Sequence, residues 1–259
     1  MKSTTDTYGF EVEYAYPYKK AKTFRELTKK ANICGSIVND CSIAFYNIGE
    51  CSDDGVELVS PIRLGVVNAK RWLRSVSKFS IKHQFQHCIS KHTKKVKLIK
   101  SPLVVPAQES DSGFHIHIGV NHKTATIADM IRLYDNIVKN QKELVRLAGR
   151  VNNEYAPLIE DACITIEDKL VYISEWKNDK YWSVNIYNLY RAMVRNTKKS
   201  TIEFRYAHSS IVLDKDRMLE YFKLCNDIVR KSFTGSNKYN HEKIESKDYR
   251  VIKNRLIGN

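Results

Sequence analysis

Three short segments constrain this chain more than anything else in it: GFEVEY (9–14), SGFHIHIGV (112–120) and STIEFRY (200–206). Each alternates apolar and polar residues. That is the period of a strand, in which residues two apart point to the same side. Glu11 and Glu13 therefore share a face, as do His115 and His117, and Glu203 and Arg205. The other face is apolar throughout: Phe10 and Val12; Phe114, Ile116 and Ile118; Ile202, Phe204 and Tyr206. A strand facing water ordinarily mixes Thr, Ser, Lys and Gln. Here the outward set is three glutamates, two histidines and an arginine. Singly, each pair also reads as a solvated strand face or a cross-strand ion pair. All three on strands of one period point to a site.

Clustered carboxylates repel one another unless a cation sits between them. Hard divalent ions take oxygen ligands, and an imidazole joins them at a Mg²⁺ or Mn²⁺ site. An arginine beside such a site is suited to bidentate phosphate binding. A fourth segment, GVELVSP (55–61), places Glu57 on a largely apolar strand. Its burial is costly without a metal or base, and the alternative is an edge-strand glutamate pointing to water.

The chain has 259 residues with a formal net charge of +14, and 42% of it is hydrophobic. That is enough apolar content for a substantial core, and it excludes a disordered basic tail. No run of eighteen apolar residues occurs, so no membrane-spanning helix is expected. The first residues lack the apolar stretch of a signal peptide. Six cysteines, none in a CxxC pair, read as reduced thiols of a cytoplasmic protein.

The charge is uneven. From Leu58 to Gln108 there is no Asp or Glu, while Arg63, Lys70, Arg71, Arg74, Lys78, Lys82, Lys91, Lys94, Lys95, Lys97 and Lys100 all fall there. A one-sign segment attracts anions at long range. Nucleotide phosphates, a nucleic-acid backbone and a polyanionic substrate all fit it, as does a lysine-rich solvated face.

Strands are expected at Tyr8–Tyr16, within Ser36–Asn47, and at Val56–Ser60, Phe114–Val120 and Thr201–Tyr206. Helices are expected at Thr23–Ala31, with Thr23 as N-cap and Glu26 completing a capping box, and at Val66–Phe79. The two clearest are Thr126–Arg150, with Gly149 near its end, and Asp214–Lys231, with Asp214 as cap. The resulting fold class is α+β: a mostly antiparallel sheet with helices packed on one face. Residues 1–233 form one domain containing the basic segment 62–108, and 234–259 form a polar basic tail or short helix.

These segments, in this order, resemble the amidoligase family, which belongs to the glutamine synthetase-like carboxylate–amine ligases. Val38-Asn39-Asp40-Cys41-Ser42 is similar to the family's V-x-D-x-S strand, and GVELVSP to its ElvSP. SGFHIHIGV resembles its G-x-H-x-H-x-G. Residues 149–156 (GRVNNEYA) resemble R-x-N-x-Y-A, residues 180–185 (KYWSVN) resemble R-Y-x-x-L-N, and STIEFRY resembles gTiEfR. The match runs over roughly residues 8–231.

The resemblance implies a glutamine synthetase-like curved sheet and an ATP-dependent ligase. Such an enzyme joins a carboxylate to an amine through an acyl phosphate, making an amide or peptide-like bond. It implies Glu13 and Glu57 as ligands of the metal nearer the carboxylate substrate. Glu11, His115 and Glu203 become ligands of the metal nearer the nucleotide. His117 becomes a nucleotide contact, and Arg205 meets the transferred phosphoryl group. Lys180 stands where the family has arginine, and Arg150 and Asn185 are substrate or nucleotide contacts. ATP and Mg²⁺ or Mn²⁺ are the implied cofactors, with one substrate anionic. The chemistry suits the residue types: phosphoryl transfer needs divalent ions between phosphates and a cation on the moving group.

Other readings remain open, among them a metal-dependent hydrolase and a ligase whose donor or acceptor is attached to nucleic acid. Two more stand beside them, the second suggested by related guanidino kinases. One is a non-catalytic nucleic-acid binder using the basic segment 62–100. The other is a phosphotransferase acting on a guanidino group. His83-x₃-His87, with Cys88 and His92 nearby, also fits a zinc site or an ordinary part of the basic segment. No glycine-rich phosphate loop is present.

Overall fold

The computed structural model describes residues 4–14, 21–40, 45–47, 50–52, 55–83, 112–149, 157–159, 168–169, 173 and 182–233. Arg150, Lys180, the segment 84–108 with its lysines and histidines, and the tail 234–259 lie outside the described residues.

Alternation in the sequence becomes a sheet. Its strands are β1 (Thr4–Tyr14), β2 (Ser36–Asp40), β5 (Gly55–Val59), β6 (Arg63–Leu64), β7 (Gly113–Val120), β8 (Val184–Asn185) and β9 (Thr201–His208). The order is β2-β5-β1-β7-β9-β8, with β6 also pairing with β1. Every pairing is antiparallel. A separate hairpin joins β3 (Phe45–Asn47) to β4 (Glu50–Ser52). The helices are α1 (Ala21–Lys30), α2 (Val66–His83), α3 (Ile127–Ala148), α4 (Tyr187–Arg195) and α5 (Lys215–Ser232). The architecture is α+β.

One sheet face forms the core. Tyr8, Phe10, Val12 and Tyr14 of β1 are fully buried, as are Phe114, Ile116 and Ile118 of β7 and Ile202 and Phe204 of β9. Helices cover this face through aromatic contacts. Phe10 stacks on Trp72 of α2 and meets Phe222 of α5 edge-on, with centroids 5.3 and 5.6 Å apart. Tyr206 reaches α3, donating its hydroxyl hydrogen to Gln141 Oε1 at 3.1 Å.

Local chemistry sets the helix ends. Thr126 caps α3: its hydroxyl accepts from the Asp129 N–H, and Asp129 accepts from the Thr126 N–H, a reciprocal box. Gly149 ends α3 at φ 76°, a left-handed position that glycine adopts without a Cβ penalty. Asp214 caps α5 by accepting from the Arg217 N–H.

Several expectations need correction. Helix α1 begins at Ala21, so Thr23 lies inside its first turn and is not the N-cap. Helix α2 continues past Phe79 to His83, whose ring packs on Phe79 at 4.9 Å. Glu57 is not on an edge strand, because β5 lies between β2 and β1. The largest departure concerns the polar face of the sheet. It does not point outward to water: every residue of β7 is buried on both faces.

Candidate functional site

Register assembles the polar face. Glu11 of β1 pairs with His115 of β7, and Gly9 pairs with His117. His117 in turn pairs with Glu203 of β9. On the other side of β1, Glu13 pairs with Glu57. Asp40 of β2 ends this row, paired with Gly55, two residues from Glu57. Five carboxylates and two imidazoles thus come from five adjacent strands.

The cluster is tight and mostly buried. Glu13, His115, His117 and Glu203 are 5–7% exposed. His115 Nδ1 lies 3.2 Å from Glu11 Oε2 and 3.4 Å from Glu203 Oε1, and its Nε2 lies 3.6 Å from Glu13 Oε1. His117 Nε2 is 2.9 Å from Glu11 Oε1. Ligand atoms of Glu11, His115 and Glu203 all lie within 4.8 Å of one another. That donor set is two carboxylates and one imidazole, with no thiolate. It suits a hard divalent ion such as Mg²⁺ or Mn²⁺.

Two backbone features make the cluster possible. Between Phe114 and Ile116 the β7–β9 register shifts by one, so Arg205 and Tyr206 both stand opposite His115. A bulge of this kind re-aims side chains beside a site. Tyr206 goes to the core, and Arg205 Nη1 donates to Glu203 Oε1 at 2.8 Å. The second feature is Gly113. Its N–H donates to Glu13 Oε2 at 2.5 Å. A Cβ there would sit 2.5 Å from His115 Nε2 and 3.3 Å from Glu13 Oε1. Glycine is the residue that leaves both side chains room.

Asn185 of β8 supports the cluster from the far edge. Its Nδ2 donates to Glu203 Oε2 at 2.9 Å, and its Oδ1 accepts from the Tyr187 N–H at 2.8 Å. Both ends of the amide are engaged, so here Asn185 orients Glu203.

The electrostatics show a face short of positive charge. Burial, reinforced by Glu11, Glu13 and Asp40, pushes the Glu57 carboxyl up to about 9. Burial also raises Glu13, although His115 opposes it. For Glu11 burial acts upward too, but hydrogen bonds to His115 and His117 outweigh it and hold the carboxyl well below the usual range. Glu203 is lowered as well, because His117, His115 and Arg205 together overcome its burial. His117 is raised: burial lowers it, but Glu11 and Glu203 win. A cation among these carboxylates would replace the proton that Glu57 otherwise retains and would offset the burial that raises Glu13.

Beside the cluster opens a cavity of about 600 Å³, with Gly9, Glu11 and His117 in its wall. Phe10, Val59, Ile62 and Val120 give it apolar sides, and Lys198 and Lys199 also line it. Lys199 is near enough to oppose slightly the rise that Glu11 and Glu203 impose on His117.

The structure therefore brings Glu11, Glu13, Glu57, His115, His117, Glu203, Arg205 and Asn185 to one region. Arg150 and Lys180 lie outside the described residues. Sequence reasoning assigned no role to Gly113, Asp40, Lys198 or Lys199. Asp40 and Gly113 lie inside the quoted motifs, and the lysines directly precede STIEFRY, so position along the strands was the available signal.

No family model matches the chain. No curated protein matches it either. Among solved structures it is similar to a bifunctional glutathione synthetase from Pasteurella multocida, with 11% sequence identity and a TM-score of 0.38. The alignment covers 96% of this chain and 46% of that one, so the chain spans under half of its length. A likeness of that size decides nothing about the chemistry of the cluster. No described helix is long and apolar enough to cross a membrane.

Proposed function

We propose that the chain is an ATP-dependent ligase joining a carboxylate to an amine through an acyl phosphate, on a sheet of the glutamine synthetase-like type. The carrying observation is the convergence of Glu11, His115 and Glu203 within 4.8 Å, with Arg205 on Glu203. The motif order supports the amidoligase reading of that convergence. In this reading Glu11, His115 and Glu203 hold the nucleotide-side Mg²⁺ or Mn²⁺, and Glu13 and Glu57 hold the carboxylate-side ion. Such ions neutralise phosphate charge during transfer.

The chain's own residues do the rest. The cavity receives the nucleotide, its apolar walls against the base and Lys198 and Lys199 toward the phosphates. His117, at the boundary of cavity and cluster, contacts the nucleotide. Arg205, held on Glu203, stabilises charge on the moving phosphoryl group. Gly113 and Asn185 fix His115, Glu13 and Glu203. Lys180 and Arg150 complete the phosphate and substrate contacts.

The test is trapping. Wild type with Mg·ATP, hydroxylamine and a panel of carboxylic acids is predicted to yield a hydroxamate and ADP with at least one acid, and Arg205→Ala to yield neither. Phosphorylation of a guanidino compound, with no hydroxamate from any acid, contradicts the ligase reading.

A further inference from the structure

Helix α2 carries five cations and no carboxylate, whereas α1, α3 and α5 each carry at least one acid. Among the described residues, several cations on other elements meet carboxylates. Arg132 pairs with Asp129, Arg146 with Glu143, Lys169 with Asp135, and Arg230 with Asp6. No described carboxylate pairs with Lys70, Arg71, Arg74, Lys78 or Lys82 of α2. Arg71, Arg74, Lys78 and Lys82 are all exposed. They recur at spacings of three and four, so they lie along one face of the helix. Like charges at those spacings destabilise a helix. Helix stability does not account for such a face, and a polyanion would supply the missing negative charge.

The geometry selects among polyanions. Arg71 and Lys82 are eleven residues apart, about 16 Å on a rigid helix. A duplex presents one phosphate per roughly 1.7 Å of axis, so a rod of cations this long meets several phosphates at once. Arginines add bidentate phosphate geometry. A bilayer fits less well. Helices that lie on membranes insert their apolar face, and the apolar face of α2 (Ala69, Trp72, Leu73, Val76, Phe79) is buried in the core at 0–4% exposure. Exposed Val67 and Ile81 stand fourteen residues apart at opposite ends of the helix, too far apart to act as one anchor.

We infer that the solvent face of α2 docks on the phosphate backbone of nucleic acid, without reading sequence. The surface is separate from the carboxylate cluster, and it stands whether or not the ligase reading does.

Binding of a fluorescent random-sequence duplex of about 20 base pairs, followed by anisotropy between about 50 and 200 mM salt, tests this. Wild type is expected to bind with a steep salt dependence. The triple variant Arg71→Ala, Arg74→Ala, Lys78→Ala is expected to bind more weakly on every sequence. Its log–log salt slope should be shallower by about 2.7, near 0.9 per lost phosphate contact. A control triple, Lys29→Ala, Lys30→Ala, Lys223→Ala, removes the same charge from other helices and should leave the slope close to wild type. Both triples should keep the wild-type far-ultraviolet spectrum and cooperative melting, since every substituted side chain is exposed. Equal losses in the two triples would show that net charge alone binds, and would overturn the assignment. So would an unchanged slope in the α2 triple, or wild-type binding to phosphatidylserine vesicles in place of duplex.

Discussion

At the scale of single residues, two positions test the cluster without removing Glu11, His115 or Glu203. Gly113→Ala would place a methyl group 2.5 Å from His115 Nε2, so the imidazole must swing away from Glu11 and Glu203. The predicted outcome is an intact fold with Mn²⁺ affinity down by about tenfold or more, in line with other changes to the groups that orient ligands. Calorimetric titration of Mn²⁺ checks it, and wild-type affinity in the variant would mean His115 is not a ligand. Glu57 tests the charge balance. Its carboxyl titrates near 9 in the fold, above its unfolded value. The protonated form is therefore favoured by folding, and the metal-free protein loses stability as pH rises from about 4.5 through 9. In EDTA, Glu57→Gln should melt above wild type at pH 8, by a few degrees, on the order of 1 kcal/mol, and the gap should close at pH 5. Added Mn²⁺ should reverse the ranking at pH 8. A gap that widens toward pH 5 would contradict the repulsion argument.

At the scale of elements, the helices that cover one sheet face hold up a site on the other. A cap on that covering layer should matter for stability alone. Thr126→Ala removes the capping box of α3 and is predicted to cost about 1 kcal/mol, a fall in Tm of roughly 2–4 °C. Mn²⁺ affinity should be unchanged, since Thr126 touches no member of the cluster. Loss of metal binding in this variant would show that the two layers are coupled. The long helices and the three chemical strands were legible in the sequence because period and capping are local signals. Thr126, Gly149 and Asp214 mark ends that the chain keeps. The bulge at Arg205 and Tyr206 was not legible, since register depends on the partner strand. Nor was the burial of His115 and His117. Alternation tells which residues share a face, but not whether that face meets water.

At the scale of the whole molecule, five adjacent strands gather charge that no single segment holds. Glu11, Glu13, His115 and Glu203 were legible as a set because their strands share one period, and Glu57, on a largely apolar strand, joined them as a ligand only through the family resemblance. The cavity was not legible, because its walls come from β1, β5, β7, the turn after Val120 and the lysines before β9. Two charge systems result. One is an acidic cluster that suits cations, and the other is a basic helix face that suits anions. The central claim concerns the first: Glu11, His115 and Glu203 hold a metal that binds together with a nucleotide. Thermal unfolding of wild type and Glu203→Ala in EDTA, Mg²⁺, ATP and Mg·ATP tests it most directly. A ligand at one hundred times its Kd stabilises by about 2.7 kcal/mol. For a chain of this size that is a rise of roughly 5–10 °C. The rise is predicted in wild type only with metal and nucleotide together, and it should vanish in Glu203→Ala. No rise in wild type, or an equal rise in the variant, would contradict the account.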